Sequence, residues 1–185
     1  MVNLLVMGLW AGLRVGGVFP QPFTPLETNL TFGVEGGMVL PYADESFAVG
    51  VQVSYAQPPG EGTGDDPRLE SGAYEWSISQ RELSFGVRGI LRRRFGKLVP
   101  YGALGPRLYL LETRANGASG GQPFGEHREV STELGLQAAA GAVYTISSAG
   151  IFAELGFGFS DLDHVTTGDV TNGQLEAIVG GLLTF

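Results

Sequence analysis

Hydrophobic residues recur at every second position along most of this chain, and the positions between them are small or polar. A strand turns successive side chains to opposite faces, so a period of two predicts β-structure with one apolar face. In the second run Leu30, Phe32, Val34, Gly36, Met38 and Leu40 alternate with Thr31, Gly33, Glu35 and Gly37. The third sets Phe47, Val49, Val51, Val53 and Tyr55 against Ala48, Gly50, Gln52, Ser54 and Ala56. The sixth sets Leu134, Leu136, Ala138 and Ala140 against Glu133, Gly135, Gln137 and Gly141. The seventh opposes Ile151, Ala153, Leu155, Phe157 and Phe159 to Glu154, Gly156, Gly158 and Ser160. Four further runs are less regular. The first carries Leu9, Ala11, Leu13 and Val15 opposite Arg14 and Gly16, and the fourth carries Leu83, Phe85, Val87 and Leu91 opposite Glu82, Ser84, Gly86 and Arg88. The fifth has Leu104, Leu108 and Leu110 against Tyr101, Gly105, Arg107 and Tyr109, with Pro100 and Pro106 implying a bend or a missing ladder bond. The last closes on Leu175, Ala177, Val179, Gly181, Leu183 and Phe185.

The connectors carry a second signal. Short links are expected at residues 41–46, 92–97 and 147–150, and longer polar loops after the odd-numbered strands, notably at 57–73 (QPPGEGTGDDPRLESGA) and 114–128. Eight runs joined alternately by short turns and long loops predict an eight-stranded antiparallel up-and-down transmembrane β-barrel, one domain over residues 1–185. The competing all-β reading is a soluble up-and-down barrel of the lipocalin kind. Such a barrel packs its oily face inward, yet here the minor face is Gly, Ser, Thr, Gln and isolated charges, too small and polar to fill a core. The uncharged face would expose more apolar surface than a soluble monomer tolerates, so it is expected to look out at lipid.

Composition sharpens this picture. Only 16% of the residues are charged, where an ordinary globular chain needs about a quarter. The 30 glycines are about twice the usual share and are interleaved with Val, Leu and Phe, which points to order rather than a flexible linker. No run reaches the ~18 apolar residues of a spanning helix, which leaves a closed barrel as the way across a bilayer. A net charge of −8 argues against nucleic acid as a partner, and the absence of cysteine excludes disulfides and thiolate metal sites. The acidic clusters Glu61, Asp65, Asp66, Glu70 and Asp161, Asp163, Asp169 read as solvated loops, with divalent-cation bridging to lipopolysaccharide as the sharper alternative. Residues 1–12 are apolar without a basic n-region or a small-residue cleavage site, so they read as the start of the first strand; the alternative is the core of a signal peptide.

Two segments resemble the OmpA-type and OmpX-type family of small outer-membrane barrels: the ending LEAIVGGLLTF and the stretch KLVPYGALG at residues 97–105. The resemblance implies a place in the bacterial outer membrane, with lipopolysaccharide and other outer-membrane lipids as surroundings. It also implies that Val179, Gly181, Leu183 and Phe185 form the signal read by the barrel-assembly machinery. The 185 residues hold no peptidoglycan-binding domain of the OmpA type, so anchoring to the cell wall is not expected.

The inward face supplies the candidate site. Its expected polar network takes Arg14, Glu35, Gln52, Glu82 and Arg88 from the first half of the chain. From the second half it takes Arg107, Glu133, Gln137, Glu154 and Glu176. Setting Leu40 opposite Phe47 places Glu35 beside Gln52, and setting Leu91 opposite Leu98 places Glu82 beside Arg107. A plug centred on Glu82 and Arg107 is therefore expected; the alternative is charges that merely hydrate and pack the interior. The basic turn of Arg92, Arg93, Arg94 and Lys97 would lie at the periplasmic rim, as a solvated turn or against phospholipid headgroups. Tyr42, Tyr55, Tyr101, Tyr144 and Trp76 are candidates for an interfacial girdle.

Chemistry is sparse. His164, with Asp163 and Thr166 nearby and Glu133 brought close by register, is the minimum for a hydrolase triad, but no nucleophile motif frames the threonine. His127 reads as a surface residue, and no catalytic residue, cofactor or metal site is expected. The function expected first is a structural or surface-interaction barrel whose long loops meet a surface ligand. A narrow channel for small or apolar molecules, as in OmpW-like proteins, comes second, and a lipid A-modifying enzyme third.

Overall fold

A computed structural model describes residues 8–21, 24–41, 45–67, 72–162 and 170–185. They form β1 (Gly8–Pro20), β2 (Asn29–Leu40), β3 (Phe47–Ala56), β4 (Pro59–Asp65), β5 (Ala73–Arg92), β6 (Leu98–Ser119), β7 (Gln122–Ile146), β8 (Ala149–Asp161) and β9 (Thr171–Thr184). All pairings are antiparallel. β1 pairs with both β2 and β9, β3 pairs with β5, and the remaining neighbours follow in chain order, so eight strands close a ring. The ninth strand is no exception to the expected count. Ala56 faces Glu82 and Pro59 faces Ser79 in one continuous register, so β3 and β4 are two pieces of a single strand. The break falls at Gln57 and Pro58; Pro58 has no N–H for the ladder, although its carbonyl still accepts from Gln80 N at 3.1 Å.

The register round the ring fixes the barrel's shape. Stepping between partners from Leu9 through Met38, Val49, Gly89, Leu104, Ala138, Phe157 and Leu175 returns to β1 at Phe19, ten residues from the start. That stagger across eight strands tilts them by about 40° and leaves a radius of about 8 Å. Because ten is even, each of those residues faces outward, and an odd offset would have turned the faces inside out.

The outward face is the apolar one. Leu13, Leu30, Val51, Leu136 and Leu155 are all more than half exposed, Leu136 at 61%. In water so continuous a greasy belt would drive aggregation, whereas lipid solvates it. Inward positions are taken by glycine wherever a neighbouring strand or a long side chain needs the room. A Cβ on Gly16 would strike the carbonyl of Ala177, and one on Gly86 would strike the Gln137 and Gln52 side chains.

Above the ring, β4, β5, β6 and β7 run on as a four-stranded ribbon. β7 pairs with β6 from Gln122 to Tyr144, but with β8 only from Gly135 to Ile146. Two expectations are corrected here. The expected loop at residues 57–73 contains strand β4 at Pro59–Asp65, and residues 114–128 are mostly strand, part of a hairpin reversed by Gly120 and Gly121, at φ 57° and 79°. In water both faces of a strand can be polar, so the period of two that marks a strand in lipid disappears.

The link between β5 and β6 is also tighter than expected. Phe95 bridges Leu98 across Gly96, at φ 61°, so Arg92 meets Tyr101 and Leu91 meets Gly102 rather than Leu98. This shift of four residues leaves every side chain on its expected face, since four is even. It puts Gly86, not Glu82, opposite Arg107. The pairing of β2 with β3 is as expected, Leu40 on Phe47 and Glu35 on Gln52. The ladder between β5 and β6 breaks between Gly86 and Gly89, opposite the region of Pro106.

Candidate functional site: the barrel lumen

Each of the eight ring strands sends a polar side chain into the middle of the lumen. Arg14 on β1 lies at the hub. Its Nη1 donates to Glu35 Oε2 at 3.2 Å and to the Gln52 side-chain carbonyl, and its Nη2 donates to Glu154 Oε1 at 3.0 Å. Glu176 Oε2 stands 3.7 Å from the same Nη2. Arg88 ties two of the same carboxylates, with Nη1 on the other oxygen of Glu154, Oε2, at 2.6 Å and Nη2 on Glu35 Oε2, the oxygen Arg14 also uses, at 2.5 Å. Gln52 passes the chain on to Gln137 Oε1 at 2.6 Å, and Gln137 reaches the Pro106 carbonyl at 3.2 Å. This carbonyl contact and the glycine at position 86 fit the amide into a gap that any larger residue would close.

A second knot lies around Arg107. Its Nη1 pairs with Glu176 Oε1 at 2.5 Å, its Nη2 donates to Ser84 Oγ at 2.8 Å, and Glu82 Oε1 is 3.5 Å away. The guanidinium lies 5.0 Å above the Tyr109 ring. Gln174 bridges Glu82 and Glu176 at 2.9 and 3.2 Å. The two knots meet through Glu176, which touches both Arg14 and Arg107. Three arginines thus face four glutamates, all nearly sealed from water, Arg14 at 3% and Glu82 at 2% exposure.

Burying ions is costly unless each is paired and its remaining lone pairs are used. The forked guanidinium suits this place because one arginine reaches several carboxylates at once, where lysine would act as a point charge. The Nε atoms of all three arginines have no protein partner. The void inside the network, lined by Gln52, Arg88, Arg107, Gln137, Glu154 and Glu176 among others, measures about 10 Å³. That is room for about one water.

Of the ten residues expected in the network, Arg14, Glu35, Gln52, Glu82, Arg88, Arg107, Gln137, Glu154 and Glu176 are buried in the lumen. Glu133 is not: it stands only half-buried on β7, opposite Tyr109 and beyond the level at which β8 begins to pair. The hub is Arg14 rather than the Glu82–Arg107 pair. Sequence reasoning also missed Ser84, Gln174 and the Tyr101 hydroxyl, which donates to Glu154 Oε2 at 2.8 Å. Tyr101 therefore points inward and is no part of a girdle; its place among the inward positions of the fifth run was the available signal. Trp76 is not at the interface either, since it packs over Gly62 in the ribbon. Tyr55 and Tyr144 remain on the outer face, Tyr55 against Phe32 with ring centroids 5.5 Å apart. Tyr42 lies outside the described residues, as do Glu70, Asp163, His164, Thr166 and Asp169.

The lumen is layered on either side of the ions. Toward the ribbon, Tyr109, Leu111 and Leu162 form a buried apolar cap. Toward the turns, Ala48, Ile90 and Ala103 pack with Trp10, Val39, Tyr101 and Ala139. Beyond them a cavity of about 410 Å³ opens at the turn end. Among the described residues, no group of His, Asp or Glu has metal-holding geometry.

A closed ring, a lipid-facing belt and an occluded polar lumen define a membrane-spanning β-barrel of the small outer-membrane type. Comparison with solved structures agrees at the level of fold. The chain is similar to a major outer membrane protein from Thermus thermophilus, at 12% identity over 96% of this chain and 99% of that one, TM-score 0.58. It is also similar to Ail, the attachment invasion locus protein of Yersinia pestis, solved with the heparin analogue sucrose octasulfate. There the identity is 14% over 97% of each chain, TM-score 0.50. Neisserial surface protein A matches at 16% identity over 97% of each chain, TM-score 0.49. No family model matches the sequence, and no curated protein does.

Proposed function

We propose that this chain is a barrel of the bacterial outer membrane that stiffens the bilayer and carries an interaction surface above it, with its lumen closed by the ionic network. The observation that carries this reading is the ribbon: four of the ring's own strands continue past the lipid belt, so a rigid scaffold holds them out. Its margins, which pair with no further strand among the described residues, are of the kind that resists self-association, with Pro123, Glu126 and Arg128 on β7 and Glu61 and Asp65 on β4. Acidic residues outnumber arginines there, so a cationic or neutral surface ligand fits better than a polyanion.

The reading is tested by replacing residues 113–129 with a two-residue Asn-Gly turn and expressing the protein in an outer membrane. The shortened protein should keep its heat-modifiable gel migration while cells lose attachment to the surfaces the full-length protein favours. Unchanged attachment would overturn the surface role. An epitope placed between Gly120 and Gly121 should be reached by antibody on intact cells. Val179, Gly181 and Leu183 lie on the outward face of β9, beside the seam with β1, and Phe185 is exposed just past its end, which suits recognition during assembly. The narrow-channel reading predicts steady bilayer conductance, which the 10 Å³ void disfavours.

A further inference from the structure

The turn end of the lumen is a blind apolar pocket with a basic mouth. Its walls include Trp10, Val39, Ile90, Val143, Phe152 and Leu182, all on the inward side of their strands. Its floor is the polar network, represented by Glu35 and Arg88, and Arg92 and Arg94 line it at the end of β5, next to the tight turn. The volume of about 410 Å³ is more than twice that of an engineered apolar cavity of about 150 Å³ that stays dry and takes up benzene. It falls in the range of pockets that hold small molecules through apolar walls and a few placed polar groups.

We propose that this pocket binds a single-chain anionic amphiphile tail-first, the hydrocarbon chain lying against the apolar walls and the anionic head held by Arg92 and Arg94. The direction of entry follows from charge. Both Nη atoms of Arg88 at the floor are already committed to Glu35 and Glu154, so the floor offers no cation to an incoming anion. Among the described residues lining the mouth, two guanidiniums face one side-chain carboxylate, Glu45, so these side chains carry a net positive charge. A neutral chain would gain the walls but not the mouth. The network and the Tyr109–Leu111–Leu162 cap close the far end, so the pocket stores or senses an amphiphile and does not pass it through.

The test uses the full chain in phosphatidylcholine nanodiscs with Trp76→Phe, which leaves Trp10 as the single tryptophan reporter. The probes are stearate dibrominated at mid-chain, a lysophosphatidylglycerol carrying the same chain, a neutral monoglyceride carrying it, and dibrominated phosphatidylcholine as the bilayer background. Saturable quenching of Trp10 by the stearate, the lysophospholipid or both supports the pocket and tells the two headgroup sources apart. With Arg92→Gln and Arg94→Gln the half-saturating concentration should rise at least about tenfold, the loss of charge-assisted contacts. Ala48→Phe, which fills the pocket, should abolish saturation; Val143→Phe replaces it if the first variant fails to give the heat-modifiable band.

Quenching no steeper than that of dibrominated phosphatidylcholine overturns the proposal. Equal binding of the monoglyceride, or indifference to the arginine changes, overturns the role of the mouth. A chain without residues 2–7 that binds where the full chain does not would instead make the apolar segment MVNLLVM the occupant, and so overturn the amphiphile.

Discussion

Leu136 and Val130 lie on the same strand, on the same outward face, and are almost equally exposed, at 61% and 66%. Yet they obey different rules. Leu136 sits beside Phe159 and Pro106 in the lipid belt, at the level of the ionic network. Val130 lies six positions further along, about 15 Å higher in a strand tilted by about 40°. It is opposite Glu112, which pairs with Arg114 and Arg128 at 2.7 and 3.1 Å. In the ring the solvent outside is lipid, so polarity is driven inward and every buried ion must find a partner. In the ribbon both faces are wet, and ion pairs are exposed and weak. One strand therefore changes chemistry along its length without changing its backbone.

Breaking the inward half of this contrast should have the largest effect. Arg88→Met removes one of the two cations shared by Glu35 and Glu154 and leaves both carboxylates to Arg14 in a sealed lumen. A loss of about 3–5 kcal/mol is expected, read as an earlier urea midpoint for the heat-modifiable band. The outward half is sharpened by a matched pair. Leu136→Arg should cost about 2–4 kcal/mol in a bilayer, since it places a charge near the midplane. Val130→Arg should change stability by less than about 0.5 kcal/mol. Equal effects of the two substitutions would mean that the belt is wrongly placed.

The ribbon should fail locally. Gly120→Ala with Gly121→Ala forces L-residues with a Cβ into the left-handed region, at a cost of about 1–2 kcal/mol per residue. Amides of the β6–β7 hairpin should then exchange faster while those of the ring do not change. The smallest effect concerns pH. The hydrogen bond from Arg114 holds the Glu112 carboxyl below its ordinary value, with the Arg128 and Arg114 charges helping. A depressed carboxylate contributes above its unfolded pKa and loses that contribution as pH falls through the folded one. Acidification below about pH 4 should therefore loosen only the stretch of the hairpin around Glu112, Arg114 and Arg128, seen by amide exchange, and high salt should mimic it.

Much of the ring was legible in the sequence. Alternation at Leu30–Leu40 and Phe47–Tyr55 defined two strands, their faces and even their mutual register, because the turn between them is short. The turn after β5 was misread because Gly96 allows a reversal within four residues, a detail of backbone φ rather than of hydrophobic pattern. The ribbon was read as loop because alternation is a signature of an asymmetric environment, and water on both sides erases it. Within the lumen the residue types were visible, but not their hub. Arg14 meets Glu154 from β8, and Arg107 meets Glu176 from β9.

The sequence alone determined which side chains face lipid and which face inward, since the strand's period of two converts composition directly into sidedness. It also determined that the interior would carry ions of both signs among glycines. Tertiary structure alone decided who pairs with whom, how far the ribbon stands out and where the lumen stays hollow. Those outcomes depend on the ten-residue stagger of the closed ring, which brings distant strands across a narrow bore and is a property of closure, not of any single strand.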